Sequence, residues 1–375
     1  MATTYLNEAL TKAISIISGI YLIKDFRANP NGDQIEFLIS ETNIKDTFPR
    51  LIKDLEPYGM VATARRGKYV GKPMPTLSSA RLSVEDGILI KIQNVPRHSV
   101  RKRRAPIPLI LFLTTVAVVF IDGIFRERAF APLSASDPVL MASIYTLSLM
   151  GILGIHEMGH MIAAKKYRIT ASWPYFIPSV PGIFLSPTFG AMIQLRSNMI
   201  NRNAMFDVGI AGPVAGLAIT IIVSIYGAST SVLVSNPATI QGAATFKPSL
   251  LMTATMILAG KGADGILVMS PIMYAALIGF IITFLNLIPA WQLDGGHMAR
   301  AALGKKLHKW FTYGGVGVLV YLYWFPMAIL ILILSSRAPE STPLDDVTPL
   351  SRGRKAMFVV ALGLAVLCAS RAPLF

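Results

Sequence analysis

Residues 138–164 read PVLMASIYTLSLMGILGIHEMGHMIAA, an apolar run long enough to cross a bilayer as a helix. Near its end the run contains HEMGH, so ionisable side chains stand inside a membrane-spanning pattern. Such groups cost on the order of 3 kcal/mol each at the centre of a bilayer, and proteins keep them there mainly for function. We therefore interpret this segment as a membrane helix that carries a functional site.

Further apolar runs on both sides of this segment complete a polytopic pattern. They cover residues 106–125, 204–226, 269–289, 314–334 and 356–369. Each is read as a spanning helix, although the last is short for a bilayer core of about 30 Å. We predict an α-helical polytopic membrane protein with about six transmembrane helices and both termini on one side.

The composition agrees with a membrane location. Of the 375 residues, 53% are hydrophobic and only 15% are charged, whereas soluble domains carry about 25% charged residues. The formal net charge of +15 would suggest a nucleic-acid partner in a soluble domain. Here the basic clusters at 97–104, 165–168 and 300–309 flank apolar runs, as the positive-inside rule expects. We expect no nucleic-acid partner, and we place the termini and the site on the cytoplasmic side.

No run at the N-terminus resembles a signal or transit peptide, which is compatible with a prokaryotic cell membrane. We therefore expect a multi-pass protein of a prokaryotic cell membrane.

The single cysteine, Cys368, excludes an internal disulfide and a cysteine-based metal site. The sequence does not indicate its oligomeric state.

Residues 1–100 differ in character because they mix charges with short apolar patterns. Helical patterns cover the segments 5–23 and 43–56, and strand patterns cover the segments 33–40, 60–65 and 87–95. We predict a small cytoplasmic α/β domain over residues 1–100, without a catalytic constellation. Residues 101–375 form the transmembrane domain in this interpretation, with a catalytic core at about 138–300.

The HEMGH motif predicts a zinc site. His156 and His160 are four residues apart, so a helix stacks both imidazoles on one face. Two neutral imidazole nitrogens can bind one divalent ion, and Glu157 beside them can accept a proton from a zinc-activated water. A chance match is expected only about 0.001 times in a chain of this composition, so the motif is specific. We predict one catalytic zinc ion.

A catalytic zinc needs a third protein ligand and an open position. The segment FLNLIPAWQLDGGH (284–297) supplies Asp294, one of very few acids near the apolar runs. We favour Asp294 as the ligand, with His297 as the alternative. Gly295 and Gly296 would let the backbone turn sharply beside it.

Asn286 lies in the apolar helix before this turn. A buried amide in a membrane helix requires a hydrogen-bonding partner. Its NH₂ group can donate to the oxyanion that develops during acyl transfer. The alternative interpretation is an ordinary hydrogen bond between helices.

Three motifs in order carry a family resemblance: HEMGH, residues 187–217 (PTFGAMIQLRSNMINRNAMFDVGIAGPVAGL) and residues 285–297 (LNLIPAWQLDGGH). Together they resemble the site-2 protease family of intramembrane zinc metalloproteases, of the peptidase M50 type. The resemblance implies a zinc-holding core of three spans, with Glu157 as base and Asp294 as third ligand. It also implies a transmembrane-helix substrate that is cleaved within or near the bilayer, usually in regulated intramembrane proteolysis.

A helical substrate must unwind before it is cleaved, and an unwound strand in lipid leaves polar backbone groups unsatisfied. The enzyme should therefore offer an extended edge that pairs with the substrate. The alternating segment that begins FGAM suggests that edge, which gives as candidate substrate-binding residues Phe189, Gly190, Ala191 and Met192. The alternative is a plain connecting hairpin.

The middle motif also contains regularly spaced small residues. Gly209, Gly212 and Gly216 fall on neighbouring turns of a helix, and Pro213 lies among them. Small residues allow helices to approach closely, and proline allows a break. We predict packing contacts at these positions.

Other function classes remain open at this point. A membrane metal or ion transporter also places ionisable residues within the bilayer, but it requires neither a glutamate directly after the first histidine nor a DGGH segment. A catalytically silent homologue is the other alternative, and the intact Glu157 argues against it. We predict a zinc-dependent intramembrane endopeptidase whose partners are the bilayer and a membrane-embedded protein substrate.

Overall fold

The computed structural model describes residues 11–29, 34–70, 84–94, 106–133, 136–182, 184–234, 247–262, 266–337 and 341–372. The chain divides into two compact units. The first comprises Met1–Arg103, Asn198–Arg202 and Thr342–Leu350. The second comprises Arg104–Ser197, Asn203–Ser341 and Ser351–Phe375.

The first unit is a small antiparallel sheet with helices. Its elements are helix α1 over residues 11–18, strands β1 (Ile23–Ala28) and β2 (Gln34–Ile39), helix α2 (Phe48–Leu55), and strands β3 (Met60–Val70) and β4 (Val84–Asn94). The strand order is β1-β2-β4-β3. The predicted small α/β domain is therefore present.

Alternation in sequence produces the core of this unit. Ile35, Phe37 and Ile39 are buried on one face of β2, as a period of two requires. Leu51 and Leu55 lie four apart on α2, so a helical period places both against that face. One apolar cluster results from the match between the two periods.

Two segments from far along the chain complete the same unit. The Ala64 amide on β3 donates to the Leu344 carbonyl at 2.8 Å, and the Asp346 amide donates to the Ala64 carbonyl at 3.2 Å. The Leu344 amide in turn donates to the Met199 carbonyl at 2.8 Å. Leu344 and Val347 are buried in the same apolar cluster as the sheet. The edge of β3 is therefore covered by chain that follows and precedes membrane helices.

The second unit is mainly helical. Its helices are α3 (Pro106–Phe130), α4 (Pro138–Lys166), α5 (Arg202–Thr230, whose first residue belongs to the first unit), α6 (Leu250–Leu258), α7 (Pro271–Leu287), α8 (Asp294–Tyr321), α9 (Phe325–Arg337) and α10 (Arg352–Cys368). Its strands are β5 (Tyr175–Pro178), β6 (Thr188–Met192), β7 (Val232–Val234) and β8 (Ile266–Val268). They form the antiparallel pairs β5-β6 and β7-β8.

Among the described residues, three helices are long and apolar enough to cross a membrane. They are Pro106–Leu133, Pro138–Lys166 and Arg202–Thr230, while α7 and α9 are apolar but shorter. Only 22% of the most apolar stretch of the first is buried, so most of its apolar surface points outward, as lipid requires. The chain is a membrane protein in fold, and the count of six spans is not confirmed.

The predicted continuous span at 314–334 is wrong. Helix α8 ends at Tyr321 and α9 begins at Phe325, with Tyr323 in a left-handed conformation at φ 65°. Helix α8 itself is interrupted at Gly304, where φ is 77°. Hydropathy cannot reveal these breaks because apolar residues continue across the junction at 322–324.

The hairpin formed by β5 and β6 lies along α3. The rings of Phe112 and Phe176 meet edge to face with their centroids 5.2 Å apart. Near the hairpin tip, the Gly182 amide donates to Asp122 on α3 at 3.3 Å. The Leu185 carbonyl accepts from the Tyr274 hydroxyl of α7 at 2.7 Å. Helices on two sides thus fix the hairpin.

An ion pair between the buried Asp122 and the half-buried Arg126 supports this tip. The Arg126 guanidinium donates to the Asp122 carboxylate at 2.6 Å, and the Tyr145 hydroxyl donates to the same oxygen at 2.8 Å. The guanidinium also lies over the Tyr274 ring, 3.5 Å from its centroid. Asp122 is only 1% exposed, so these partners supply the hydrogen bonds that water would otherwise make to its carboxylate.

Candidate metal centre

Helix α4 presents both histidines of HEMGH to the interior. The Asp137 carboxylate caps the helix start by accepting from the Val139 amide at 2.8 Å, and Pro138 occupies the first turn. His156 and His160 are then one turn apart, and both are at most 6% exposed. Their Nε2 atoms are 3.1 Å apart. The predicted pairing of these imidazoles on one face is present.

Asp294 meets this pair from another helix. It is the first residue of α8, and its Oδ2 lies 3.3 Å from the Nε2 atoms of both His156 and His160. A tetrahedral ion with ligands at about 2.0–2.1 Å separates neighbouring ligand atoms by about 3.3 Å. The three atoms therefore have the spacing of one face of a tetrahedron of the size that zinc requires. A catalytic zinc takes a further ligand at the fourth corner of such a tetrahedron.

Glu157 belongs to the same group. Its carboxylate and the ligand atoms of His156 and His160 all lie within 4.8 Å of one another, and Glu157 is 5% exposed. The backbone N–H of Ile193, the residue after β6, interacts with this carboxylate. The acid is thus beside the three-atom face and close to the hairpin.

The Val208 carbonyl on α5 orients His160. It lies 2.7 Å from the Nδ1 atom of the imidazole. A proton on Nδ1 donates to this carbonyl and leaves the lone pair of Nε2 directed at the centre of the cluster. This contact was not predicted, because a backbone carbonyl leaves no trace in a sequence motif.

Helix α5 forms the wall behind the ligands. A Cβ atom added at Gly212 would collide with the His160 imidazole, and one added at Gly216 would lie 3.1 Å from His156. One added at Gly209 would lie 3.0 Å from the Asp294 carbonyl. The predicted packing contacts at these glycines are present, and their partners are the three candidate ligands themselves.

The predicted role of the Asp-Gly-Gly turn is wrong. Gly295 and Gly296 lie in the first turn of α8, and neither has a positive φ. They are small because the backbone of residues 287–291 runs against them, where added Cβ atoms would meet the carbonyls of Leu287 and Trp291. The left-handed residue of the turn is Trp291, with φ 44°.

Asn286 reaches the cluster from the end of α7. Its Nδ2 atom is 3.4 Å from the Nε2 atom of His156. The amide thus makes a contact between helices, and that contact lies at the ligand atoms. His297 sits on the first turn of α8 with its Cβ towards Gly209. The near-equilateral triangle of ligand atoms forms without it.

The four candidate substrate-binding residues lie on or beside the outer edge of β6. Phe189 and Met192 are 65% and 51% exposed, whereas Ala191 packs inward against the helices. Gly190 has a positive φ of 96°. The sheet has only the strands β5 and β6, so in the described part of the chain the second edge of β6 has no partner strand.

The sequence profile of Peptidase family M50 matches residues 144–323, which include His156, His160 and Asp294. A relative named "Probable zinc metalloprotease EGY1, chloroplastic", from Arabidopsis thaliana, is 31% identical over 291 residues. Residues 144–323 of this chain are a peptidase M50 region. The predicted resemblance to this family is confirmed, and zinc is the metal that the family and the His-Glu-His cluster indicate.

The chain spans about half the length of the curated M50 relatives that it matches, or less. The alignment with the Arabidopsis thaliana protein covers 70% of this chain and 52% of that relative. A protein of the same name from Oryza sativa subsp. japonica is 33% identical over 236 residues, which cover 58% of this chain and 39% of the relative. A solved structure named "Site-2 Protease from Methanocaldococcus jannaschii" is 17% identical, with coverage of 68% of this chain and 86% of that one. Its TM-score of 0.28 is too low to carry an argument.

These comparisons bear on the remaining predictions. M50 is a peptidase family and the relatives are named zinc metalloproteases, so the predicted enzyme class is confirmed as that of the family. The match does not favour the transporter alternative. The relatives are named chloroplastic, so the predicted prokaryotic membrane and its cytoplasmic orientation find no support.

Proposed function

We propose that this chain is an intramembrane zinc endopeptidase that hydrolyses a peptide bond of a transmembrane-helix substrate within or near the bilayer. The observation that carries the proposal is the set of three ligand atoms, 3.1–3.3 Å apart, with Glu157 beside them. His156, His160 and Asp294 would hold the ion. Zinc bound there supplies a Lewis acid and lowers the pKa of its water to about 7.

Two protein side chains have proposed catalytic roles. Glu157 accepts a proton from the attacking water and delivers it to the leaving amine, as a carboxylate beside the ion can do. Asn286 donates an amide hydrogen to the carbonyl oxygen of the substrate as negative charge develops there. The short distance between Asn286 and His156 supports this role, because it brings the amide within 3.4 Å of a candidate ligand atom.

The outer edge of β6 is the proposed substrate-binding surface, with Phe189, Gly190, Ala191 and Met192. An unwound substrate segment would pair with this edge and so satisfy its backbone groups inside the membrane. The interaction between the Ile193 amide and Glu157 supports the assignment, because it brings the end of the strand to the proposed base. The substrate thereby lies beside the acid that acts on the water.

We also propose a biological role and a membrane orientation for the enzyme. Regulated release of a membrane-tethered protein is the role we propose, with about six crossings and with the basic helix ends and the first unit facing the cytoplasm of a prokaryotic cell. The basic clusters at 165–168 and 300–309 support one common side for these ends. Labelling of single cysteines introduced at 168 and 305 from each side of sealed vesicles tests it, and labelling of the two from opposite sides would contradict it.

The decisive experiment uses Glu157→Ala in the full chain. We expect the variant to keep its zinc and to lose cleavage of a membrane-embedded substrate, because the ligands remain while the base is gone. Met158→Ala is the matched control, since Met158 is the next residue and is 50% exposed. Mass spectrometry of proteins trapped by the Glu157→Ala form in cells identifies the substrate. Undiminished cleavage by that variant would refute the mechanism.

A further inference from the structure

A cluster of charged and polar side chains joins three helices of the second unit. The Asp207 carboxylate on α5 accepts two hydrogen bonds from the Arg354 guanidinium of α10, at 2.6 Å from Nε and 2.7 Å from Nη2. The same guanidinium donates to the Ser351 hydroxyl at 3.1 Å. This bidentate geometry fixes the angle of α10 against α5 as well as the distance between them.

The end of α4 joins the same carboxylate. The Tyr167 hydroxyl donates to Asp207 at 2.6 Å, and the Lys166 ammonium lies 3.8 Å from it. Burial, together with the hydrogen bond to Asp207, raises the pKa of Tyr167 to about 12, so this hydroxyl keeps its proton and acts as the donor. Asp207 is therefore bound from both neighbouring helices.

Asp207 connects the cluster to the metal centre, because it is adjacent in the chain to a residue that contacts His160. The next residue, Val208, provides the carbonyl that contacts Nδ1 of His160 at 2.7 Å. Pro213 has no N–H to offer the Gly209 carbonyl one turn before it, so α5 has one internal hydrogen bond fewer directly after Val208. The contacts of Asp207 with Tyr167 and Arg354 hold the turn of α5 that leads into this weakened point.

The strength of the ion pair argues for a geometric function. The side chains of Arg354 and Asp207 are 25% and 19% exposed. Partly exposed pairs contribute little to global stability because solvent screens them. A bidentate pair nevertheless restricts orientation strongly. The arrangement is therefore suited to setting a register between helices.

We propose that Arg354, Asp207 and Tyr167 are positioning residues, which set the register of α5 against α4 so that the Val208 carbonyl holds His160 ready to bind zinc. The inference rests on the proposed function because it concerns the same metal ligand. It adds a C-terminal helix, beyond the matched range 144–323, to the machinery of the site. Outer contacts of metal-ligating histidines typically change metal affinity by about 10–100-fold.

The test measures zinc binding by the full chain in detergent. We expect Arg354→Met to raise the zinc dissociation constant by about 10–100-fold and to alter the visible spectrum of the Co²⁺-loaded protein. Arg354→Lys should lie between that variant and the wild type, because lysine keeps the charge but not the bidentate fork. Arg352→Met removes a charge from the same helix end, and it should bind zinc as the wild type does because Arg352 is exposed.

A double variant separates positioning from simple charge removal. Arg354→Met combined with Asp207→Asn should weaken zinc binding no more than Arg354→Met alone, because the ion pair is already absent and asparagine can still accept from the Tyr167 hydroxyl. Wild-type zinc affinity in Arg354→Met would overturn the proposal, and so would an equal loss in Arg352→Met. Where Arg354→Met does not fold, Tyr167→Phe decides, because it removes one hydroxyl and keeps the ion pair. It should weaken zinc binding several-fold, and no change would overturn the proposal.

The proposed function fails in a different way. A wild-type chain that binds no zinc, or a Glu157→Ala form that still cleaves, would refute the function. A wild-type chain that binds zinc, together with an Arg354→Met form that binds it equally well, would refute only the positioning role. The two results are therefore distinguishable in one set of preparations.

Discussion

Gly212 lies directly against the His160 imidazole, and a single Cβ atom at that position would occupy the space of Nε2. Helix α5 is therefore a wall for the metal centre as well as a membrane segment. The site therefore requires a residue without a side chain at position 212, as well as the two histidines.

Gly212→Ala should abolish zinc binding, since the new methyl group displaces the His160 ring from the position where Nε2 meets Asp294. We expect zinc content to fall from about one ion per chain to near zero. Gly151→Ala is the control, because an added Cβ there meets nothing within 4 Å. Metal analysis of the two purified variants provides the comparison. Full zinc content in Gly212→Ala would show that α5 can move away from His160 enough to accommodate the methyl group.

Asp294 and His297 can be separated as ligands. Asp294→Ala should weaken zinc binding by more than about 100-fold, because one of three protein ligands is lost. His297→Ala should leave affinity within a few-fold of the wild type, because the ligand triangle forms without this residue. Competition with a zinc chelator measures both. The reverse order of effects would assign the third ligand to His297.

The ion pair in α3 supports stability more than chemistry. Asp122→Ala should destabilise the protein by about 1.5–3 kcal/mol, because it leaves the half-buried Arg126 guanidinium without its carboxylate. Asp122→Ala with Arg126→Met should recover part of the loss, since no uncompensated charge remains. Thermal unfolding in detergent tests the pair. Equal stability of the single and double variants would mean that the two groups are not coupled.

The exposed aromatic on β6 tests the substrate edge. Phe189→Ala should raise KM for a membrane substrate several-fold and leave zinc content unchanged, because the ring is 65% exposed and packs edge to face against Phe184. Ile222→Ala is the control, since Ile222 is 63% exposed on α5. An unchanged KM in Phe189→Ala would favour the plain hairpin. A loss of zinc in this variant would mean that the ring supports the metal centre.

Arg65 tests how the first unit holds its distant segment. Its guanidinium donates to the Pro343 and Leu344 carbonyls at 2.9 and 3.0 Å. Arg65→Ala should destabilise this unit by about 1.5–3 kcal/mol and expose residues 342–350 to protease. Arg66→Ala is the matched control because Arg66 is exposed on the same strand. Equal protease sensitivity of the two variants would contradict the role of Arg65.

Local periodicity was sufficient to predict one half of the site. The spacing of His156 and His160 fixes their common face, because a helix repeats every 3.6 residues. Asp294 was found because acids are rare near apolar runs. The contacts of His160 with the Val208 carbonyl and with Gly212 depend on how α4 and α5 pack against each other. The sequence of either helix alone does not specify that packing. The ligand roles themselves stay predictions until zinc binding is measured.

The same limit explains the errors in the fold. A glycine pair such as Gly295 and Gly296 is explained equally well by a sharp turn and by a close backbone neighbour. The sequence alone does not distinguish these two explanations. The segment 342–350 is polar and has no alternation, so nothing in it predicts that it lies beside β3. The position of this segment is set by the exposed edge of β3, which is about 280 residues away in the chain, rather than by a pattern in the segment itself.

The two late segments of the first unit impose an order on biosynthesis. A ribosome makes residues 11–94 before the membrane helices, but the segment beside β3 and the side chains of Leu344 and Val347 arrive only after α3 to α9 have been made. Until then the nascent sheet has an open edge and an unfilled apolar cluster, which invite aggregation or chaperone binding. This unit therefore becomes complete only after residue 350 has been synthesised, and its folding reports that the membrane helices before residue 342 have been made.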